Sequence, residues 1–184
     1  MKFILKMGLM FLAFITLLGF GLNLSQPAYC NLEDLIVQDK MMPSEWKRLW
    51  RVLPPALPKH GAQDALNVVY ENGSEIAQHT VFRYRNGFHA FLFLRVNHQL
   101  FFPSGLRKWI DLAGSGDWGL NGDEESIRCG DSDDPQFGYK CSAVVRYGLN
   151  ISDFSSPVGE EIMSQEDFKR IVISIDDRFS SCYQ

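Results

Sequence analysis

The chain lacks the short signatures by which many small enzymes and metal proteins are recognised. It contains no H-E-x-x-H, no C-x-x-C and no G-x-S-x-G, which argues against zincin, zinc-ribbon and nucleophile-elbow chemistry. No nucleotide-binding motif is present. Histidine is scarce, with only His60, His79, His89 and His98, and none forms a metal-ligating pair by spacing. A basic cluster is also missing. The formal net charge is −4, and removing residues 1–28 with Lys2 and Lys6 leaves 16 basic against 22 acidic residues, a balance of −6. A mildly acidic body argues against nucleic acid and against an anionic membrane surface as partner. Internal repeats and low-complexity tracts are absent, so the architecture is not a solenoid.

What the chain does have begins at its N-terminus. Residues 7–24 form an apolar run broken only by small or mildly polar residues, behind Lys2 and Lys6. Positive charge holds such a terminus in the cytoplasm while the apolar stretch enters the bilayer, so the remainder is expected outside the cytoplasm. The run is longer than a signal-peptide core of about 7–15 residues and slightly short of the roughly 20 of a spanning helix. Residues 1–28 therefore read either as a cleaved signal peptide or as an uncleaved transmembrane anchor. Tyr29, directly before Cys30, is too bulky for a lipobox. Residues 29–184 read as a single extracytoplasmic domain, membrane-anchored or secreted, with the membrane a partner through the N-terminal segment if it stays uncleaved.

Four cysteines, Cys30, Cys129, Cys141 and Cys182, are an even number in an exported chain, and are read as disulfides before metal ligands. Three pairings exist in principle. Cys129 and Cys141 flank the polar loop 130–138, and a hairpin there would join them. Cys30 with Cys182 is then the second possible pair by elimination, and would tie the two ends of the body.

Patterning supplies the elements. Pro43-Ser44-Glu45 followed by Trp46, Leu49, Trp50 and Leu53 predicts a short helix closed by Pro54-Pro55. Residues 65–70 and 76–84 read as strands around Asn72-Gly73, with Ile76, Gln78, Thr80, Phe82 and Tyr84 on one face and Ala77, His79, Val81 and Arg83 on the other. Asn86 precedes residues 88–96, for which two readings compete: a strand after a tight Asn-Gly turn, or a helix with Asn86 as its N-cap. Local propensity favours the strand, whereas the resemblance described below implies the helix, and the helix is adopted on that ground. Residues 97–124 read as irregular. Residues 126–130, 139–147 and 150–155 read as three strands in series. Ser164-Gln165-Glu166-Asp167 resembles a capping box, and Phe168, Ile171, Val172, Ile175, Phe179 and Cys182 then share one face of an amphipathic C-terminal helix.

Few residues suggest chemistry. Asp131, Asp133 and Asp134 resemble a calcium loop, but the EF-hand positions that need Gly and Glu hold Gln136 and Ser142. His79 and His89 are the candidates for acid–base work with a carboxylate, although a half-buried structural histidine is the more economical reading. Trp109 and Trp118 lie in the irregular stretch and are the candidate lining of a ligand groove. No catalytic residue, metal site or cofactor is assigned.

The order of landmarks from Met42 onward resembles a loose class of exported or lipid-anchored bacterial domains of unknown function. In layout it is similar to the extracytoplasmic sensor domains of mycobacterial-type Ser/Thr kinases. The matching pieces are Met42-Pro43-Ser44-Glu45-Trp46, the segment 76–84, Cys129 and Cys141 with the segment 143–148, and the terminal helix. The resemblance implies an α+β fold: an antiparallel sheet of about five strands with helices packed on one face, and a disulfide linking the late strands. It carries over no catalytic residues. The expectation is thus an extracytoplasmic, non-enzymatic binding or sensor-like domain with an unknown ligand or envelope protein as partner. A small exported hydrolase using His79 or His89, and an envelope structural or interaction protein with an exposed apolar patch, are the alternatives.

Overall fold

The computed structural model describes residues 30–49, 61–103, 108–131 and 138–183. Alternating sequence builds one antiparallel sheet in the order β1-β2-β3-β7-β6-β5-β4. Its long strands are β2 (Asp64–Asn72), β3 (Glu75–Arg83), β5 (Glu124–Asp131), β6 (Tyr139–Tyr147) and β7 (Asn150–Pro157), and its edges are the two-residue β1 (Lys47–Arg48) and β4 (Ile110–Asp111). Two tight hairpins, β2–β3 and β6–β7, meet along the β3–β7 pair at the sheet's centre. The α+β class holds, but the sheet has seven strands rather than about five, because both edges are too short to show in the sequence pattern.

Among the described residues, four helices accompany the sheet: α1 (Leu32–Leu35), α2 (Gly87–Val96), α3 (His98–Phe101) and α4 (Gln165–Tyr183). They do not all lie on one face, and this corrects the sequence reading. Side chains alternate across a strand, so Cys141, Ala143, Val145 and Tyr147 of β6 point one way and Ser142, Val144 and Arg146 the other. The first set joins Phe154 and the buried side of α4 (Phe168, Ile171, Val172, Ile175, Phe179) in the larger core. Val144 instead joins Ile151 and Tyr84 beneath Ala90, Leu94, Phe101 and Phe102 of the α2–α3 segment, in a separate second core. The sheet is therefore covered twice.

Local chemistry explains the helix starts. Asn86 Oδ1 accepts from the His89 amide at 3.0 Å, so Asn86 caps α2 and residues 88–96 are helical, not a strand. Ser164 Oγ accepts from the Asp167 amide at 3.0 Å at the start of α4. The expected helix after Pro43 is not formed in its described part. The Trp46 amide closes a turn on the Pro43 carbonyl at 3.0 Å, and Lys47 and Arg48 then pair with Glu71 and Tyr70 as β1. Residues 50–53 lie outside the described residues. The stretch 97–124, expected to be irregular, contains α3, β4 and a 3-10 turn at Ser115–Trp118.

Both expected disulfides are present. Cys129 and Cys141 sit directly opposite each other on β5 and β6, and Cys30 is bonded to Cys182 at the end of α4, 152 residues away in sequence. Two disulfides are compatible with an extracellular or envelope location. Among the described residues no helix is long and apolar enough to cross a membrane; residues 1–29 lie outside them.

Close packing of the β4–β5 edge requires glycine at position 130. A Cβ built on Gly130 would lie 2.1 Å from the Lys108 carbonyl oxygen, which is backbone and cannot rotate away. Gly130→Ala is therefore expected to cost at least about 1–3 kcal/mol. Gly116→Ala, where a methyl meets nothing within 4 Å, should stay within about 0.5 kcal/mol of the parent. Urea midpoints of the two variants check this.

Candidate functional site

The residues singled out from sequence are placed apart from one another. Trp109 packs edge-on against Phe102 at 5.3 Å and donates to the Pro103 carbonyl at 3.3 Å, on the second-core side of the sheet. Trp118 packs against Phe168 of α4 at 6.4 Å, on the first-core side. The two tryptophans serve different layers and do not face a common space. His79 and His89 are likewise separated: His79 belongs to the first face, and His89 is exposed at the start of α2 with Nδ1 2.8 Å from Asn86 Oδ1.

His79 is fully buried and fully engaged. Its Nδ1 accepts from the Val37 amide at 2.9 Å, which leaves the proton on Nε2 to be donated to Ser152 Oγ at 2.8 Å. Both ring nitrogens are thus used to fasten the N-terminal segment to β7, and no carboxylate is bonded to the ring. Burial, with a smaller contribution from the Arg178 charge, pushes the imidazole down to about 3. Held this way, His79 is a structural link between the N-terminal segment and β7.

Asp176 is a second buried link. From α4 it accepts from the Asn121 amide (2.9 Å), Asn121 Nδ2 (2.7 Å) and the Tyr147 hydroxyl (2.9 Å), which holds the chain entering β5 against the first core. Arg146 performs the same service on the other face, donating to Asp123 at 3.0 Å, while Arg95 of α2 pairs with Glu124 at 2.7 Å. Each of these groups has a partner and structural work, although Arg146 Nε and Glu124 Oε2 are buried without a hydrogen bond, 3.8 Å from each other. Among the described residues no cluster of His, Cys, Asp and Glu could hold a metal ion. Asp133 and Asp134 of the suspected calcium loop lie outside them.

Among the described residues, the buried Asn67 Oδ1, Tyr84 hydroxyl, Glu124 Oε2, Arg146 Nε and Ser180 Oγ have no hydrogen-bond partner, and Asn67 is the one of these that sits in a row of polar strand residues. On the second face, beside the apolar patch under α2 and α3, the register places Asn67, Thr80 and Asp153 side by side on β2, β3 and β7. The neighbouring row carries Gln78, Ser155 and Ser142. Asn67, Thr80 and Ser142 are buried, and Asp153 is partly so. Ser142 Oγ donates to Asp153 Oδ1 at 3.1 Å, and Gln78 Nε2 donates to Thr80 Oγ1 at 3.2 Å. Asn67 Oδ1 is buried and has no hydrogen-bond partner. Burial raises the Asp153 carboxyl to about 6, against the opposing effects of the Ser142 hydroxyl and the Lys140 charge.

The strip therefore offers acceptors: a carboxylate that titrates near neutrality and an amide oxygen with nothing to receive. Its chemical competence is to accept hydrogen bonds from N–H or O–H donors. The sequence held one clue, the shared face of Gln78 and Thr80, but an alternating polar row in a strand ordinarily marks the solvent side. Only the strand order shows that three strands contribute to it. The chain matches no family model, no curated protein and no solved structure.

His79 and Asp153 act on stability with opposite signs. Between its ordinary 6.5 and about 3, His79 is protonated in the unfolded chain but not in the folded one, so its contribution falls as pH drops, by up to about 1.4 kcal/mol per unit. Asp153, raised from 3.8 to about 6, holds a proton in the folded chain that the unfolded chain has shed. Its contribution is present at low pH and lost as pH rises through 6. Asp153→Asn removes the second dependence alone. Its stability relative to the parent should increase from about pH 4 to about pH 7, measured by denaturant unfolding across that range.

Proposed function

We propose that this chain is an extracytoplasmic, non-enzymatic binding domain that receives a small hydrogen-bond-donating ligand on the polar strip of the second sheet face. The observation that carries this reading is the buried Asn67 Oδ1 left without a partner in the same row as Asp153. Leaving a buried acceptor unsatisfied costs about 1–3 kcal/mol, and a ligand N–H or O–H would recover it. An amine or polyhydroxyl compound suits the site, because Asp153 in its ionised form accepts from an ammonium or from paired hydroxyls. The disulfides, the apolar run at residues 7–24 and the resemblance to extracytoplasmic sensor domains support the location outside the cytoplasm. The engagement of both His79 nitrogens weighs against a hydrolase built on that residue. The ligand face is thus moved from Trp109 and Trp118 to the strip.

Asn67→Val discriminates a ligand-binding role from a structural one. If Asn67 serves a ligand, the variant keeps or gains ligand-free stability, since it removes an unsatisfied acceptor and adds a β-branched strand residue. A panel of small amines, amino acids and polyols, screened by thermal shift on the full chain, should contain a compound that raises Tm by about 5–10 °C at a hundredfold excess over Kd. That rise should vanish in Asn67→Val and Asp153→Asn and weaken below pH 6. Loss of stability in ligand-free Asn67→Val, or ligand shifts that both variants retain, would overturn the assignment.

A further inference from the structure

Asparagine followed by glycine is prone to lose its side-chain amide. Glycine has no side chain to shield its nitrogen, and it tolerates the backbone rotation that brings this nitrogen to the asparagine Cγ. The chain contains three such pairs, Asn72-Gly73, Asn86-Gly87 and Asn121-Gly122. The sequence treats them alike; the fold does not.

Two of the pairs are held. Asn86 caps α2, and its Oδ1 accepts from the His89 amide at 3.0 Å and lies 2.8 Å from His89 Nδ1. Gly87 is buried at the start of that helix, which keeps its N–H away from a base in solvent. Asn121 is fastened at two points, its amide N–H and its Nδ2 donating to the two oxygens of Asp176 at 2.9 and 2.7 Å. Gly122 behind it packs against Val145 and the Arg146 carbonyl with no room for a Cβ. In both pairs the side chain must give up hydrogen bonds before the glycine nitrogen can reach its carbon.

Asn72-Gly73 has none of these restraints. Asn72 is the last residue of β2 and faces Glu75 where the strand turns into β3. Gly73 and Ser74 are exposed. Gly73 has φ +61°, and a Cβ built on it would meet nothing within 4 Å, so the space beside it is open. Among the described residues the Asn72 side-chain amide has no hydrogen-bond partner. A hairpin tip also opens locally more readily than the interior of a sheet or a packed helix start.

We propose that Asn72 is a site of spontaneous covalent modification, at which the folded chain converts selectively to aspartate and isoaspartate. The Gly73 nitrogen gives its proton to hydroxide and attacks the Asn72 Cγ. The new N–C bond closes a succinimide, and the Cγ–Nδ2 bond breaks to release ammonia. Water then opens the ring. Cleavage at Cγ restores the ordinary main chain with an aspartate side chain, and cleavage at the main-chain carbonyl routes the chain through Cγ as isoaspartate. Water and hydroxide are the only co-reactants, and nothing is oxidised or reduced. The aspartate product sets a carboxylate directly opposite Glu75, and like charges facing each other across a strand pair destabilise it. The site does not depend on a ligand at the polar strip.

The test incubates the full chain, folded and with its disulfides intact, in mildly alkaline buffer. Acid formation at each asparagine is followed by peptide-mapping mass spectrometry, with enzymatic isoaspartyl methylation as a second readout. Asn72 should convert at least about tenfold faster than Asn86 or Asn121, the factor set by the hydrogen bonds that those two must first break. In denaturant with both disulfides reduced, the three rates should converge to within a few-fold. Asn72→Gln, whose longer side chain closes its ring slowly, should leave the folded chain unmodified at this position. Conversion of Asn86 or Asn121 as fast as Asn72 in the folded chain would overturn the proposal, as would a folded chain in which Asn72 stays intact. Selectivity for Asn72 that persists unchanged after denaturation would also overturn it, by assigning the preference to neighbouring residues and not to the fold.

Discussion

The central strands β3, β7 and β6 carry buried residues on both of their faces, and this constraint organises everything else. A strand of this kind cannot leave one side to water, so each face needs its own cover. On the first face the cover is α4, joined by the N-terminal segment through the Val37–His79–Ser152 chain of hydrogen bonds. On the second it is the α2–α3 segment, which follows directly from β3 and folds back over β6 and β7. The second cover is the shorter of the two. Where its apolar patch ends, the sheet face turns polar.

The buried polar groups sort by whether they are satisfied. His79 and Asp176 each bind two parts of the chain that are distant in sequence, and every polar atom of theirs described above has a partner. Such groups specify one arrangement of segments, since a shifted segment would strand them. The strip around Asp153 departs from that economy. Natural interiors rarely leave a buried acceptor unmet, and Asn67 shares that state with Tyr84, Glu124, Arg146 and Ser180. What sets Asn67 apart from those is its row-mates, Thr80 and Asp153, which put several polar groups side by side on one sheet face.

Much of the scaffold was legible in the sequence because local signals and tertiary structure agree there. The hairpin 139–155, the capped helix at the C-terminus and the bridge between Cys129 and Cys141 all follow from short-range patterns that packing then reinforces. The segment after Pro43 shows the opposite case. Trp46, Leu49, Trp50 and Leu53 have helical spacing, yet Trp46 is drawn to the Ile162 carbonyl and Arg48 to Tyr70, contacts made across the fold. Aromatic content in residues 97–124 suggested a groove, but Trp109 and Trp118 had already been claimed by two different cores. The strip was invisible because its residues come from strands far apart in the chain.

The bond between Cys30 and Cys182 closes nearly the whole folded body into a covalent ring, and the bridge between Cys129 and Cys141 forms a smaller ring inside it. A protease that nicks one exposed loop therefore releases no fragment: the cut chain stays a single molecule until a reductant opens it. In an environment shared with hydrolytic enzymes, a single scission becomes an injury the protein can carry without coming apart.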